Sequence, residues 1–152
     1  MSQRTTLRKA GPAETEQLVP MITAFHAEEG LRSDEAHIRR ALAPLLAGSP
    51  HGEIFLAGPQ ISPVGYLCCC YGWSIEHGGL DAFLDEFYLR PSVRGRGLAG
   101  SVIQELSQHL AQKGAIGLHL EVNDDNARAI RAYERSGFTR RAGYGLMTRV
   151  LQ

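Results

Sequence analysis

Leu84-Asp85-Glu86-Phe87-Tyr88-Leu89-Arg90-Pro91-Ser92-Val93-Arg94-Gly95-Arg96-Gly97-Leu98-Ala99-Gly100 passes from an apolar strand-like run into a glycine-rich turn and then into a helix. The run 84–89 has strand composition. Downstream, Leu98, Val102, Leu106 and Leu110 recur every four residues, with Ile103 beside them, and so make one apolar helical face. Between the two, glycines let the backbone approach a ligand closely. The free N–H groups and dipole of a helix N-terminus attract anions, and Arg94 and Arg96 add forked donors. The segment from Arg94 to Gly100 therefore has the chemistry of a pyrophosphate-binding turn.

Two other phosphate-binding patterns use similar parts. Gly95-x-Gly97-x-x-Gly100 matches the dinucleotide fingerprint, and Glu121 lies 21 residues after Gly100. The context argues against that fold. Five residues, Arg90 to Arg94, separate the apolar run from Gly95, and too little chain follows for a second mononucleotide half. A P-loop needs Gly-Lys-Ser/Thr, which the chain lacks.

Outward from this segment, the N-terminal side opens with a candidate strand, Thr5 to Lys9. Gly11-Pro12 then introduces a helix in which Leu18, Met21, Ile22 and Phe25 keep helical spacing. Pro20 within it predicts a kink or restart. Gly30 is a stop signal, and Ser33 is the candidate cap of a second helix through Ile38, Leu42, Leu45 and Leu46. Ile54–Ala57, Val64–Trp73 and Leu84–Leu89 read as strands joined by short turns, hence an antiparallel meander. On the C-terminal side, Lys113-Gly114 closes the glycine-turn helix and Ile116–Val122 is a strand. Asp124 and Asp125 start a helix carrying Ala129, Ile130 and Tyr133. After Gly137, Phe138 begins a strand, and Tyr144–Leu151 is the last one. The predicted order, β-α-α-β-β-β-α-β-α-β-β, is a mixed sheet with helices against it.

The totals fit this picture. A chain of 152 residues with 43% hydrophobic and 21% charged residues suits one globular domain spanning 1–152. Its 16 basic and 16 acidic residues balance, which disfavours a general nucleic-acid or anionic-membrane binder. No run of about 18 apolar residues predicts a membrane span, and Met1 to Thr6 holds no apolar signal core, so a cytoplasmic location is expected. Cys68, Cys69 and Cys70 are consecutive. Neighbours on a strand point to opposite faces and are poorly placed to bridge, and no C-x-x-C or paired His spacing accompanies them. The expectation is reduced, apolar strand residues and no metal.

Arg94-x-x-Gly97-x-Ala99 resembles the [Q/R]-x-x-G-x-[G/A] motif of the GNAT superfamily of acyl-CoA-dependent N-acetyltransferases. The preceding strand Leu84–Leu89 and the downstream Leu120-Glu121-Val122-Asn123, Asn126, Ala129, Tyr133 and Ser136-Gly137-Phe138 are similar to that family as well, and the resemblance covers nearly the whole chain. It implies the GNAT fold, an α/β (α+β) architecture with a central mixed, mostly antiparallel sheet of about seven strands flanked by four helices. It implies acetyl-CoA as co-substrate, with the backbone of Phe87, Tyr88 and Leu89 pairing with the pantetheine arm. The amides of Gly95, Arg96, Gly97, Leu98, Ala99 and Gly100, behind Arg94, would hold the pyrophosphate. Asn126 would contact the cofactor arm and Tyr133 would lie near the thioester sulfur.

Asn126 and Tyr133 are two helical turns apart and share a face. The phenol, with an ordinary pKa of about 10, can protonate a departing thiolate. The reaction the resemblance implies is direct attack of a neutral amine, with the Leu89 N–H polarising the carbonyl. Asp85 and Glu86 are the candidate bases. As strand neighbours they are expected on opposite faces, Asp85 with Phe87 and Leu89, and Glu86 with Tyr88 on the acceptor side. The acceptor site is expected between the first helix pair and the middle hairpin, from Phe25, Glu28, Glu29, Trp73 and Glu76, where carboxylates and aromatic faces suit a cationic amine. His26 and His77 lie in the same two stretches. A small-molecule amine is the expected acceptor, with no nucleic acid or membrane partner. A peptide or protein amine, or a non-catalytic CoA-binding module, are the alternatives. Homodimers are common among proteins with this resemblance.

Overall fold

The computed structural model describes residues 6–152. The Thr5 start of the first expected strand, and the reading of Met1 to Thr5, lie outside the described residues. The chain runs as β1 (Leu7–Lys9), a short 3-10 turn at Pro12–Glu14, α1 (Thr15–Glu28), α2 (Glu35–Leu46), β2 (Gly52–Ala57), β3 (Gly65–Ser74) and β4 (Gly79–Leu89). A second 3-10 turn at Pro91–Val93 follows, then α3 (Leu98–Lys113), β5 (Ala115–Leu120) and α4 (Ala127–Arg135). The sheet order is β1-β2-β3-β4-β5, antiparallel as far as β4, with β5 joining parallel to β4.

The period-2 pattern of the inner strands supplies two apolar faces, and each is covered by helices. Ile54, Leu56, Tyr66, Cys68 and Tyr88 meet Leu18, Met21 and Ile22 of α1 and Ile38, Leu42 and Leu46 of α2. Phe55, Ala57, Leu67, Cys69, Ala82 and Leu84 meet Val102, Leu106 and Leu110 of α3. Leu18, Leu56, Leu67 and Leu106 are fully buried, each contributing roughly 1.5–3 kcal/mol of transfer free energy. Pro20 does not break α1, which runs unbroken through it. The cap of α2 is Asp34, whose carboxylate accepts from the His37 N–H at 2.7 Å, one residue later than the Ser33 expected.

Two sequence expectations need correction. The sheet has five strands among the described residues, not about seven. The chain after Phe138 forms neither expected strand, and residues 139–152 are exposed. Its apolar alternation favours an extended backbone, but a strand exists only through a neighbour's hydrogen bonds. Arg140 of this segment pairs with Asp124, and within the segment Arg141 lies 4.0 Å over the Tyr144 ring.

The second correction concerns β4. Cys68 faces Glu86 across the ladder, while the next residue, Cys69, faces Leu84. Asp85 is thus the extra residue of a β-bulge. Past a bulge the side-chain alternation slips by one, so Leu84 and Phe87 both belong to the α3 side. Asp85 and Glu86 fall together on the α1 side with Tyr66, Cys68 and Tyr88, not on opposite faces.

Candidate active site

The glycine turn is built as a cradle of donors. Gly95 and Gly97 take left-handed backbone angles, φ of 78° and 75°, which side chains with a Cβ rarely adopt. Gly97 is the N-cap of α3 and offers no side-chain cap. Among the described residues, nothing accepts from the N–H groups of Gly95, Arg96, Gly97, Leu98, Ala99 or Gly100. Six consecutive amides are therefore free at the positive end of a 16-residue helix. Such a cluster fits the oxygens of a diphosphate. Arg128 of α4 adds a cation the sequence did not single out: its Nη2 lies 3.0 Å from where a Gly95 Cβ would sit. Gly100 faces the Ser136 hydroxyl in the same way, at 3.7 Å.

Arg94 is turned away from this cradle. Its Nη2 forks onto the Glu28 carboxylate at 2.8 and 2.9 Å, its Nε donates to the Leu89 carbonyl at 2.9 Å, and its guanidinium carbon lies 5.5 Å from the centre of the Tyr88 ring. It ties the end of β4 to the end of α1, so Arg96 and Arg128 are the cations left to the turn. Glu28, expected among the acceptor residues, is the partner of that tie.

Beside the turn the sheet opens. The β4–β5 ladder ends at Leu84 and Leu120, so among the described residues β4 continues from Asp85 to Leu89 with no strand on that edge. The Arg90 N–H donates to Val64 on the β3 side. Successive N–H groups of a strand alternate between its edges, so the Phe87 and Leu89 N–H groups point into the opening. An extended polar chain placed there can pair with β4 as a further strand would.

On the α1 side of β4, Glu86 is the centre of a hydrogen-bonded chain. Its Oε1 accepts from the Tyr66 hydroxyl at 2.9 Å, and its Oε2 is 2.6 Å from His26 Nε2. His26 Nδ1 is 2.6 Å from the Ser33 hydroxyl. A carboxylate only accepts, so His26 donates to Glu86 through Nε2, while its Nδ1 is paired with the Ser33 hydroxyl. Burial, then the Glu86 charge, pushes the Tyr66 phenol far up, which keeps it a donor. Asp85, beside Glu86, is exposed; partial desolvation first, then the Glu86 charge, raises its carboxyl, while His26 opposes. Phe25 stands edge-on to Tyr66 with ring centres 6.2 Å apart, and Tyr88 lies 6.1 Å from Tyr66 on its other side. The result is an aromatic-lined wall with one carboxylate–imidazole pair in it.

Tyr133 lies on α4, half-buried, edge-on to Phe138 at 5.7 Å. Burial and then the Glu29 charge push its phenol above the ordinary range. Glu29, expected among the acceptor residues, caps the C-terminal end of α1. Asn126 is the N-cap of α4, accepting from the Ala129 N–H at 3.1 Å. Trp73 and Glu76 are not brought to the pair. Trp73 faces Leu80 at the far end of the hairpin, five residues from Cys68, or about 16 Å along the strand. Glu76 lies at the hairpin tip, 4.0 Å from Arg141. Tyr66 was missed because only the fold brings it to Glu86, and Arg128 because it sits on α4, more than thirty residues beyond the turn it faces.

A family model described as the Acetyltransferase (GNAT) family matches residues 17–138. The thialysine N-epsilon-acetyltransferase of Bos taurus is 30% identical over 128 residues, 82% of this chain and 71% of that protein. The mycothiol acetyltransferase of Gordonia bronchialis is 32% identical over 139 residues, 88% of this chain but only 42% of that protein, so the chain spans less than half of it. A crystal structure of an integron cassette protein from the mobile metagenome of Cole Harbour Salt Marsh superposes with a TM-score of 0.82 at 30% identity, over 96% of this chain and 90% of that one.

Proposed function

We propose, from the premise that this chain belongs to the GNAT family of acetyltransferases, that it transfers the acetyl group of acetyl-CoA to the primary amine of a small molecule by direct attack. The observation that carries the reading is the row of six free amides from Gly95 to Gly100 at the mouth of the β4–β5 opening. That row fits the CoA diphosphate. The edge of β4 at Phe87 and Leu89 fits the amide-bearing arm.

The protein's own groups then have separable tasks. The Leu89 N–H is a donor for the thioester oxygen as charge builds on it. Glu86, oriented by His26 and Tyr66, takes the proton released by the attacking amine, directly or through a water. Tyr133 gives its proton to the CoA thiolate as the carbon–sulfur bond breaks and the carbon–nitrogen bond forms. Asp85 lies next to Glu86 on the same face and is the second candidate base. Phe25, partly exposed beside the buried Tyr66 ring, is the aromatic face against which an amine can lie. Two relatives whose names specify small-molecule acetylation, of thialysine and of mycothiol, support a small acceptor.

The test is release of free CoA thiol from acetyl-CoA with a panel of small amines and a panel of peptides. Turnover on small amines supports the reading. Turnover on peptides alone would move the acceptor class, and CoA binding with no turnover on either panel would overturn the enzymatic reading.

A further inference from the structure

We infer that Cys68, Cys70 and Asp85 form a binding site for one thiophilic divalent cation of the zinc class. The two sulfurs and a carboxylate oxygen of Asp85 lie within 4.8 Å of one another. The strand period puts both thiols on one face, since they are two residues apart. The bulge between Cys68 and Cys69 swings Asp85 onto that same face. Without the extra residue, Asp85 would point toward α3 and the set would have two members.

The donor types select the ion. Two sulfurs and one carboxylate suit zinc, cobalt(II) or another borderline-soft metal, whereas magnesium and calcium take oxygen ligands. Sulfurs on one tetrahedral zinc stand about 3.8 Å apart, given a Zn–S bond of about 2.3 Å. The present spacing is within a rotamer adjustment of that. A Cys68–Cys70 disulfide is less well served: two residues of extended strand separate the Cα atoms by about 6.6 Å, the far end of the disulfide range. Cys68 is buried, Cys70 is half-buried and Asp85 is exposed, so a cation enters from the Asp85 side and leaves the fourth position open to water. Both thiol protons are released as it binds.

The experiment uses the full chain, reduced and kept free of oxygen, titrated with cobalt(II). One equivalent is expected to give a thiolate-to-cobalt charge-transfer band together with the intense visible bands of a tetrahedral site, and zinc is expected to bleach them. Cys70→Ser and Asp85→Asn, at positions open to solvent, should each weaken binding by at least the roughly 10–100-fold that loss of an outer-sphere partner costs. Circular dichroism reports whether each variant is folded. Absence of the charge-transfer band, or wild-type affinity in folded Cys70→Ser, overturns the site.

Discussion

The Glu86 carboxylate and the His26 ring stand 2.6 Å apart, joining β4 to the last turn of α1 across sixty residues of sequence. The Tyr66 hydroxyl holds the other oxygen of the same carboxylate. Glu86 is thereby fixed at both oxygens on a rigid strand, as a group that must meet a substrate proton at one place has to be. Glu86→Gln keeps the shape and removes the base. Turnover should fall by about 100-fold or more, the range typical of a lost general base, with CoA affinity nearly unchanged in a direct titration. His26→Gln should cost less, on the order of tenfold, because Tyr66 still orients the carboxylate. Wild-type turnover in Glu86→Gln would pass the role to Asp85.

Tyr133→Phe separates chemistry from binding. The phenol is held above its ordinary pKa by burial and then by Glu29, so it stays protonated through neutral pH and can donate. The variant keeps the ring and its contact with Phe138. Turnover should drop by about 100-fold while the CoA dissociation constant moves by less than about threefold. Unchanged turnover removes Tyr133 from the mechanism.

Gly97→Val tests the cradle. Open space surrounds the Gly97 Cβ position, so the cost is conformational, a left-handed φ of 75°. That conformation costs about 1–2 kcal/mol for a residue with a Cβ, and more for a branched one. The turn should relax out of shape and the six amides lose their common direction. CoA affinity should fall tenfold or more with little change in melting temperature, because the turn is exposed. A folded variant that binds CoA as tightly as wild type would show that the diphosphate sits elsewhere.

What the sequence made legible was local chemistry. The Gly95 and Gly97 turn, the four-residue apolar spacing of α3 and the apolar run of Ile54 to Ala57 each depend on neighbours a few residues away, and each appears where the sequence puts it. The Asp85 bulge was not legible. One unpaired residue reverses every side chain beyond it, and only the register against Cys68 and Cys69 reveals it. The Tyr66–Glu86–His26 chain was hidden because its members are twenty and sixty residues apart. The Arg94–Glu28 pair, sixty-six residues apart in sequence, was likewise hidden. The segment after Phe138 carries strand-like apolar alternation, yet whether it pairs depends on an available sheet edge, which composition does not encode.

Glu53 makes a prediction about stability that is independent of the active site. It is 4% exposed, and the Lys113 ammonium donates to it, as does the Tyr71 hydroxyl at 3.0 Å; Lys9 lies at 3.9 Å and His109 at 3.3 Å. It fastens the C-terminal end of α3 to β2. Burial is the largest single influence and raises its carboxyl, but the bonds from Lys113 and Tyr71 and the charges of Lys113 and Lys9 outweigh it, so the net pKa is lowered. A carboxylate with a depressed folded pKa contributes stability that is full above the unfolded value, about 4.3 for Glu, and is lost as pH falls through the folded value. Glu53→Gln should therefore melt below wild type at pH 7, and the gap should close as pH drops below about 4. The loss is expected at about 1–3 kcal/mol, less than for a wholly buried pair because Lys113 and Lys9 are half-exposed. At about 2–4 °C per kcal/mol for a chain of this size, calorimetry resolves it. A gap that persisted unchanged to pH 3 would mean that Glu53 holds α3 through shape and neutral hydrogen bonds, with its charge contributing nothing.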